Sequence, residues 1–411
     1  MRPVTRLLFF LLAANLLISC KKNAGIDIPP TTTDSFSVTV TNGYGSGKYK
    51  AGDTVHIFTS HYTASQLFDT WSGDITLLNA PTEWHTWFVM PGKNINVTGA
   101  IKNIPAFTLQ LEQIKGKALL KPVYSYFTPG HKGFVYLLHG TSGKASYLVN
   151  DYEFQQLIKE LVTNNFGVIV TEAEEATTGI DANGDGKLRW ADTPLDSVNN
   201  ADYANIRIIT DTFYRRGITS QSALRYCVGM SDGGFYATTL SMLYKHTAAV
   251  SYCAPTSLSV AKNTNTSIQF CMARYDDNPQ VGPAGNAAAL TFSNLFNGRG
   301  VCSKYFIKER CPVYSERFAR RGDIPASQSV AVFMELQSKG YIDGKGYFNG
   351  VSSSQLQSIY LNNPSDFPVL KSLNAAQLYF VFTQLDLCVS DHQMYSDFNR
   401  ATIQFLTKQC Q

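Results

Sequence analysis

Hydrophobic and polar positions follow two different rhythms along this chain, and the change falls near Pro105. Before it, the runs SFSVTVTNG, DTVHIFTS, HTWFVMPG and INVTGAIK alternate with period two between Gly, Asn and Pro turns. Such alternation predicts short, half-buried strands, so residues 35–102 form a small all-β module. Beyond it, apolar runs such as GFVYLLHG, FGVIVTE, ALRYCVGM, AAVSYCAP, SIQFCMAR and AQLYFVFTQ read as strands and alternate with helically spaced segments. In YANIRIITDTFYRR, Tyr203, Ile206, Ile209 and Phe213 share one helical face. Continuous apolar strands between helices predict an α/β domain over residues 104–411, a mostly parallel sheet covered on both faces.

The first residues obey neither rhythm. Arg2 and Arg6 precede an apolar run from Leu7 to Ile18, which falls short of the roughly 20 residues a membrane span needs and reads as a secretory signal over 1–19. The ending Leu17-Ile18-Ser19-Cys20 resembles the bacterial lipobox. That resemblance implies that Cys20 is the first mature residue and carries a lipid that inserts in a bilayer, and Lys21 after it implies outer-membrane sorting. Residues 20–34, polar and rich in Pro and Thr, suit a tether.

At 411 residues the chain exceeds a usual single domain. Its net charge of +4, with no basic stripe among aromatics, leaves nucleic acid without an electrostatic footprint. Export frames the cysteines. Apart from Cys20 there are Cys227, Cys253, Cys271, Cys302, Cys311, Cys388 and Cys410, an odd set, so at least one stays unpaired within the chain. The first three lie in strand-like runs and read as buried thiols. Cys302 and Cys311 bracket a short charged segment and are the expected local disulfide.

Within the module, Gly43-x-Gly45-x-Gly47-x-Tyr49-x-x-Gly52-x-x-Val55, Phe68-x-x-Trp71-x-Gly73-Asp74 and Phe88-x-Met90-Pro91 resemble one unit of the internalin B-repeat-like modules. The resemblance implies a spacer or adhesion unit. His56, His61 and His85 match no compact ligand spacing and read as scattered surface histidines.

The chemistry is concentrated in the second half. In YCVGMSDGGFY, Ser231 stands between Gly229 and Gly233, directly after the apolar run from Leu224 and directly before a segment able to turn into a helix. That is the strand-turn-helix setting of a nucleophile elbow, whose sharp turn tolerates only small neighbours. Upstream, His139-Gly140-Thr141-Ser142-Gly143 closes another strand. With the elbow it resembles the HGxxG loop of the α/β-hydrolase superfamily, over roughly 104–411. The resemblance implies an oxyanion hole from the N–H groups of Thr141 and Asp232, with His139 bracing the loop. It also implies the chain order serine, acid, histidine, which makes His392 the base. For the acid it points to the turn after SIQFCMAR, hence Asp277, with Asp276 the close runner-up because adjacent side chains point differently. Asp386 lies too near His392 in sequence to be a good partner.

Between Asp277 and His392 there is more chain than a strand and a helix need. Residues about 297–373, with the helix-like SQSVAVFMELQSKG, read as a lid or binding insertion. One further motif, Asp181-Ala-Asn183-Gly-Asp185-Gly-Lys187 through to Asp192, places oxygen ligands at the spacing of an EF-hand-type loop, Lys187 through its carbonyl. A structural Ca²⁺ is the expected occupant; the chemistry itself calls for no cofactor. Altogether the sequence predicts a lipid-anchored serine hydrolase of carboxylic esters, acting on a small ester or an acylated polysaccharide; a prolyl-oligopeptidase-like serine peptidase and a surface binding protein with an inert hydrolase half are the alternatives.

Overall fold

The computed structural model describes residues 35–410. The signal segment, Cys20 and the tether lie outside the described residues. No helix among the described residues is long and apolar enough to cross a membrane.

Strands β1 (Ser35–Thr41), β2 (Gly43–Tyr44), β3 (Gly47–Lys50), β4 (Thr54–Thr59), β5 (Gln66–Gly73), β6 (His85–Val89) and β7 (Ile95–Asn103) build two small sheets, ordered β3-β1-β7-β5 and β2-β4-β6. Val38 and Val40, Val55 and Ile57, and Ile95 and Val97 all turn inward, as residues two apart on a pleated strand must.

Strands β8 (Gln110–Lys115), β9 (Leu120–Tyr126), β10 (Gly133–Leu138), β11 (Gly167–Val170), β12 (Leu224–Met230), β13 (Ala248–Tyr252), β14 (Ser267–Ala273) and β15 (Ser303–Lys308) form one sheet, ordered β8-β9-β11-β10-β12-β13-β14-β15. Only β9 runs against its neighbours. This order with a reversed second strand is the α/β-hydrolase fold. Strand β10 shows how the layers arise. Its Phe134, Tyr136 and Leu138 pack with α4 (Ala201–Arg215) and α5 (Asp232–Tyr244), while Val135 and Leu137 face the opposite layer of α2 (Tyr152–Thr163) and α12 (Asn399–Lys408). A fully apolar strand is what a sheet covered on both faces demands. Shorter helices α1 (Ala145–Asn150), α3 (Glu174–Thr178) and α6 (Leu258–Asn263), and the longer α7 (Gly282–Gly298), complete the layers.

Between β15 and α12 lies the insertion, with α8 (Ala326–Ser338), α9 (Ser354–Asn362), α10 (Pro368–Lys371) and α11 (Ala375–Val389). It starts later than the sequence indicates, because residues 303–308 are the eighth strand of the main sheet, and it extends through α11. AQLYFVFTQ is therefore helical and not a strand. Asn374 and Gln377 form a reciprocal capping box at its start, and an apolar run of this length fits either a buried helix or a buried strand until its ends are read. The insertion shares one continuous core with the β module, from Phe58, Phe68 and Trp71 to Phe318, Leu336 and Phe380.

That junction buries charge. The Arg320 guanidinium lies 4.0 Å over the Trp84 ring and pairs with Glu153 at 2.8 Å. His56 and His85 are buried, not surface residues. His85 sits 3.1 Å from His56, bonds Asp397, and has Lys308 Nζ at 3.3 Å. Burial lowers the pKa of both rings, so they act as neutral hydrogen-bonding links between module and main domain. His61 is also held down, to about 3, by burial.

The cysteines differ from expectation too. Cys302 is bonded to Cys410, not to Cys311. Extended β15 separates Cys302 from Cys311 by six strand residues, which at about 3.3 Å each exceeds any disulfide span. Cys227, Cys253 and Cys271 are buried free thiols.

Candidate active site

Strand β12 ends at Met230 and α5 begins at Asp232, which leaves Ser231 alone to turn the chain. It does so at φ 57° and ψ −126°, a conformation that costs a non-glycine residue about 1–3 kcal/mol. A Cβ on Gly229 would stand 2.1 Å from the Gly233 oxygen, and one on Gly233 would stand 2.3 Å from the His139 oxygen. Two glycines are thus the condition for so tight an elbow. The Ser231 N–H donates to the Tyr252 carbonyl at 2.8 Å, anchoring the turn to β13.

Ser231 Oγ lies 2.8 Å from His392 Nε2, and His392 Nδ1 lies 2.8 Å from Asp276 Oδ2. The histidine sits on the loop between α11 and α12, and the acid in the turn after β14. Asp276, not Asp277, is the partner. Its side chain is fully buried against the ring, whereas Asp277, one residue on, points outward and is exposed. Asp386 is turned away, accepting bonds from the Ser353 N–H and hydroxyl at the start of α9.

The loop from His139 to Gly143 comes so close that a Cβ on Gly140 would stand 3.1 Å from Ser231 Cβ. Thr141, Ser231 and Asp232 border one cavity of about 340 Å³. Neither the Thr141 nor the Asp232 N–H donates to another described residue, so both are available where a tetrahedral oxyanion would form. His139 braces the loop. Its Nδ1 lies 2.7 Å from the Gly140 carbonyl and its Nε2 accepts the Ala173 N–H. Burial lowers its pKa to about 4, which keeps this one-donor, one-acceptor form.

The acidic loop at Asp181 is closed by its own hydrogen bonds. Asp181 accepts the N–H groups of Gly184 and Gly186, Asn183 and Asp185 cap their own turns, and Asp185 pairs with Arg189. The carboxylates of Asp181, Asp185 and Asp192 do not gather within 4.8 Å of one another. After Lys187 the chain leaves the loop as a strap. The Leu188 carbonyl takes the Ser142 N–H, the Trp190 N–H reaches Asp232 Oδ2 at 2.9 Å, and the Trp190 indole reaches the His139 carbonyl at 2.9 Å. Asp192 is drawn with it to the rim beside Ser231. The three carboxylates do not converge as a closed Ca²⁺ cage requires, and the strap ties the oxyanion loop to the elbow.

Asp391 was not legible as a site residue. Its Oδ1 accepts the His392 N–H at 2.6 Å and the Asp277 N–H at 3.0 Å. Together with Ser390, which takes the Arg274 and Tyr275 N–H groups, it pins the acid's turn to the histidine's loop. Burial and the neighbouring Asp277 carboxylate raise its pKa to about 7. Its adjacency to His392 was the one available signal. Asp391→Ala is expected to lower kcat on a p-nitrophenyl ester roughly 10- to 100-fold, the cost of misplacing a reacting group by about 1 Å. Asp391→Asn, whose amide oxygen accepts the same two N–H groups, should restore most of that rate. An equal loss in both would mean that acceptor geometry is not its role.

A second cavity of about 550 Å³ lies between the His139–Gly143 loop, α1, α2 and α11, and is bordered by Met230 and Gln393, the chain neighbours of Ser231 and His392. Its lining includes Tyr147, Phe154, Met230, Tyr379, Phe380 and Met394.

No family model matches the chain. No curated protein matches it either. Solved structures do resemble it in part. A predicted CIB-like hydrolase from Thermoplasma acidophilum is 16% identical, with a TM-score of 0.34, covering 49% of this chain and 87% of that one. Est1E from Butyrivibrio proteoclasticus, solved with ferulic acid, is 9% identical, with a TM-score of 0.35, over 48% of this chain and 88% of that one. An acylaminoacyl peptidase from Pyrococcus horikoshii is 12% identical, with a TM-score of 0.38, over 77% of this chain and 56% of that one.

Proposed function

We propose that this chain is an exported, lipid-anchored serine hydrolase that cleaves carboxylic esters through an acyl-enzyme. The observation that carries the reading is the unbroken array Ser231 Oγ, His392 Nε2, His392 Nδ1, Asp276 Oδ2, with 2.8 Å at each hydrogen bond. A serine hydroxyl needs an adjacent base to attack at neutral pH. His392 takes the Ser231 proton as Oγ adds to the ester carbonyl carbon, and Asp276 holds the ring with Nδ1–H toward it. The oxygen that gains charge faces the N–H groups of Thr141 and Asp232. His392 then returns the proton to the departing alcohol, and water repeats the sequence on the acyl-serine.

The substrate reading is an acyl group on a polysaccharide. It is supported by Tyr147 and Tyr379 at the larger cavity, which expose 64% and 68% of their surface and offer flat faces on which a sugar ring can lie. The lipid anchor rests on Cys20 and its preceding residues.

Labelling by a fluorophosphonate, followed by rates on p-nitrophenyl acetate, an acetylated polysaccharide and a peptide p-nitroanilide, tests the reading. Modification of Ser231 with turnover of both esters is expected. Faster cleavage of the anilide would make the chain a peptidase, and failure of Ser231 to label would leave a surface binding protein. Cys20→Ser should move the protein from the membrane fraction to the soluble one.

A further inference from the structure

The insertion has a narrow neck, and a cysteine stands at each side of it. Cys311 lies just after β15, where the chain leaves the main sheet, and Cys388 lies in the last turn of α11, where it returns. Both are buried, each 1% exposed. The Cys311 N–H donates to the Cys388 carbonyl at 2.9 Å, which makes the two backbones neighbours, the condition for the Cα span of about 4.4–6.8 Å that a disulfide requires. The Cys388 thiol lies 3.9 Å from the carbonyl of Pro312, the residue next to Cys311. The other free cysteines are engaged elsewhere: Cys227 with His246, Cys253 with the Gln393 carbonyl, Cys271 with Gln269.

We propose that Cys311 and Cys388 are a site of oxidative modification, closing to a second disulfide that ties the neck of the insertion. Lys308 Nζ stands 3.5 Å from Cys311 Sγ, so the ammonium favours the thiolate, which is the attacking species. The hydrogen bond from Cys388, followed by that ammonium, holds the Cys311 thiol well below its ordinary range. Cys311 attacks one sulfur of a disulfide oxidant, either a small-molecule disulfide or a thiol-disulfide oxidoreductase, and expels the first thiol. Cys388 then attacks the mixed disulfide and expels the second. Two thiol protons and two electrons pass to the oxidant, one S–S bond is broken in it and one is formed in the chain. Because both sulfurs are buried in the finished fold, the exchange takes place once the neck has brought Lys308 and Cys388 beside Cys311 and before the rest of the insertion packs over it. The existing Cys302–Cys410 bond belongs to a fold that matures where such oxidants act. The consequence reaches the candidate site, because α11 carries Tyr379, Phe380, Thr383 and Gln384 of the larger cavity.

The test is refolding of the full chain in a glutathione redox buffer, alkylation of free thiols, and digestion without reductant. The expected result is one cross-linked species joining the Cys311 and Cys388 peptides, lighter by two hydrogens than their sum. Cys311→Ser should abolish it and leave Cys388 alkylated. The intact bond should also slow proteolysis of the insertion relative to a sample treated with dithiothreitol. Recovery of Cys311 and Cys388 as separately alkylated peptides while Cys302 and Cys410 are linked would overturn the proposal. So would a link from either of them to Cys271.

Discussion

Ser231→Ala abolishes ester turnover and fluorophosphonate labelling, with kcat expected to fall about 10⁵- to 10⁶-fold, the size of loss seen when a triad nucleophile is removed. The fold should be untouched, because alanine adopts the same positive φ at the same cost and the N–H bond to Tyr252 remains. Ser231→Gly separates chemistry from strain. It is equally inactive, but it relieves the backbone at φ 57°. Relief is worth about 1–3 kcal/mol, against roughly 0.5–1 kcal/mol for the extra freedom glycine brings to the unfolded chain. The glycine variant should therefore unfold at higher denaturant concentration than the alanine variant. If the two melt together, the elbow holds no strain. If alanine retains ester turnover within tenfold of the parent, Ser231 is not the nucleophile.

How much of this arrangement the sequence displays depends on how local each determinant is. The elbow is local: glycines at 229 and 233 and an apolar run before them declare a tight strand-to-helix turn. The histidine was reachable through chain order, since no other histidine follows His246. The choice between Asp276 and Asp277 was not reachable, because it turns on a side-chain direction fixed by bonds to Ser390 and Asp391, more than a hundred residues away. The same holds for His56 and His85. Their surroundings on β4 and β6 look like half-exposed strand, whereas Lys308 and Asp397 of the main domain close over His85, and Tyr347 of the insertion packs against His56. Asp185 and Asp192 kept an ion-binding spacing in sequence, but the backbone after Lys187 is held by Asp232 and His139 and draws Asp192 off the loop.

The shared core also changes what the β module can be. Phe58 and Trp84 pack around Arg317 and Arg320 of the insertion. Each guanidinium is buried, bonded to Gln384, and in the case of Arg320 also to Glu153 on α2. A buried charge is stable only while its partners remain, so module, insertion and α2 hold one another in place. The larger cavity lies on that same α2–α11 seam, so the module supports a wall of the candidate site from behind.

Asp276→Asn and Asp277→Asn should differ by about three to four orders of magnitude in kcat, and the reason lies in one further bond. Asp276 Oδ1 accepts the Asn278 N–H at 3.0 Å while Oδ2 faces His392 Nδ1. An asparagine at 276 keeps its carbonyl oxygen toward the Asn278 N–H, which turns its amide NH₂ toward the ring. His392 must then accept at Nδ1 and carry its proton at Nε2, where Ser231 needs an acceptor. The imidazole becomes the wrong tautomer, which in comparable triads costs about 10⁴-fold in kcat. Asp277 reaches the site through Asp391, to which it gives its backbone N–H and beside which its exposed carboxylate lies, and it makes no bond to His392, so Asp277→Asn should stay within a few-fold of the parent on p-nitrophenyl acetate. The reverse ranking would place the acid at 277 and require the turn after β14 to rotate in solution.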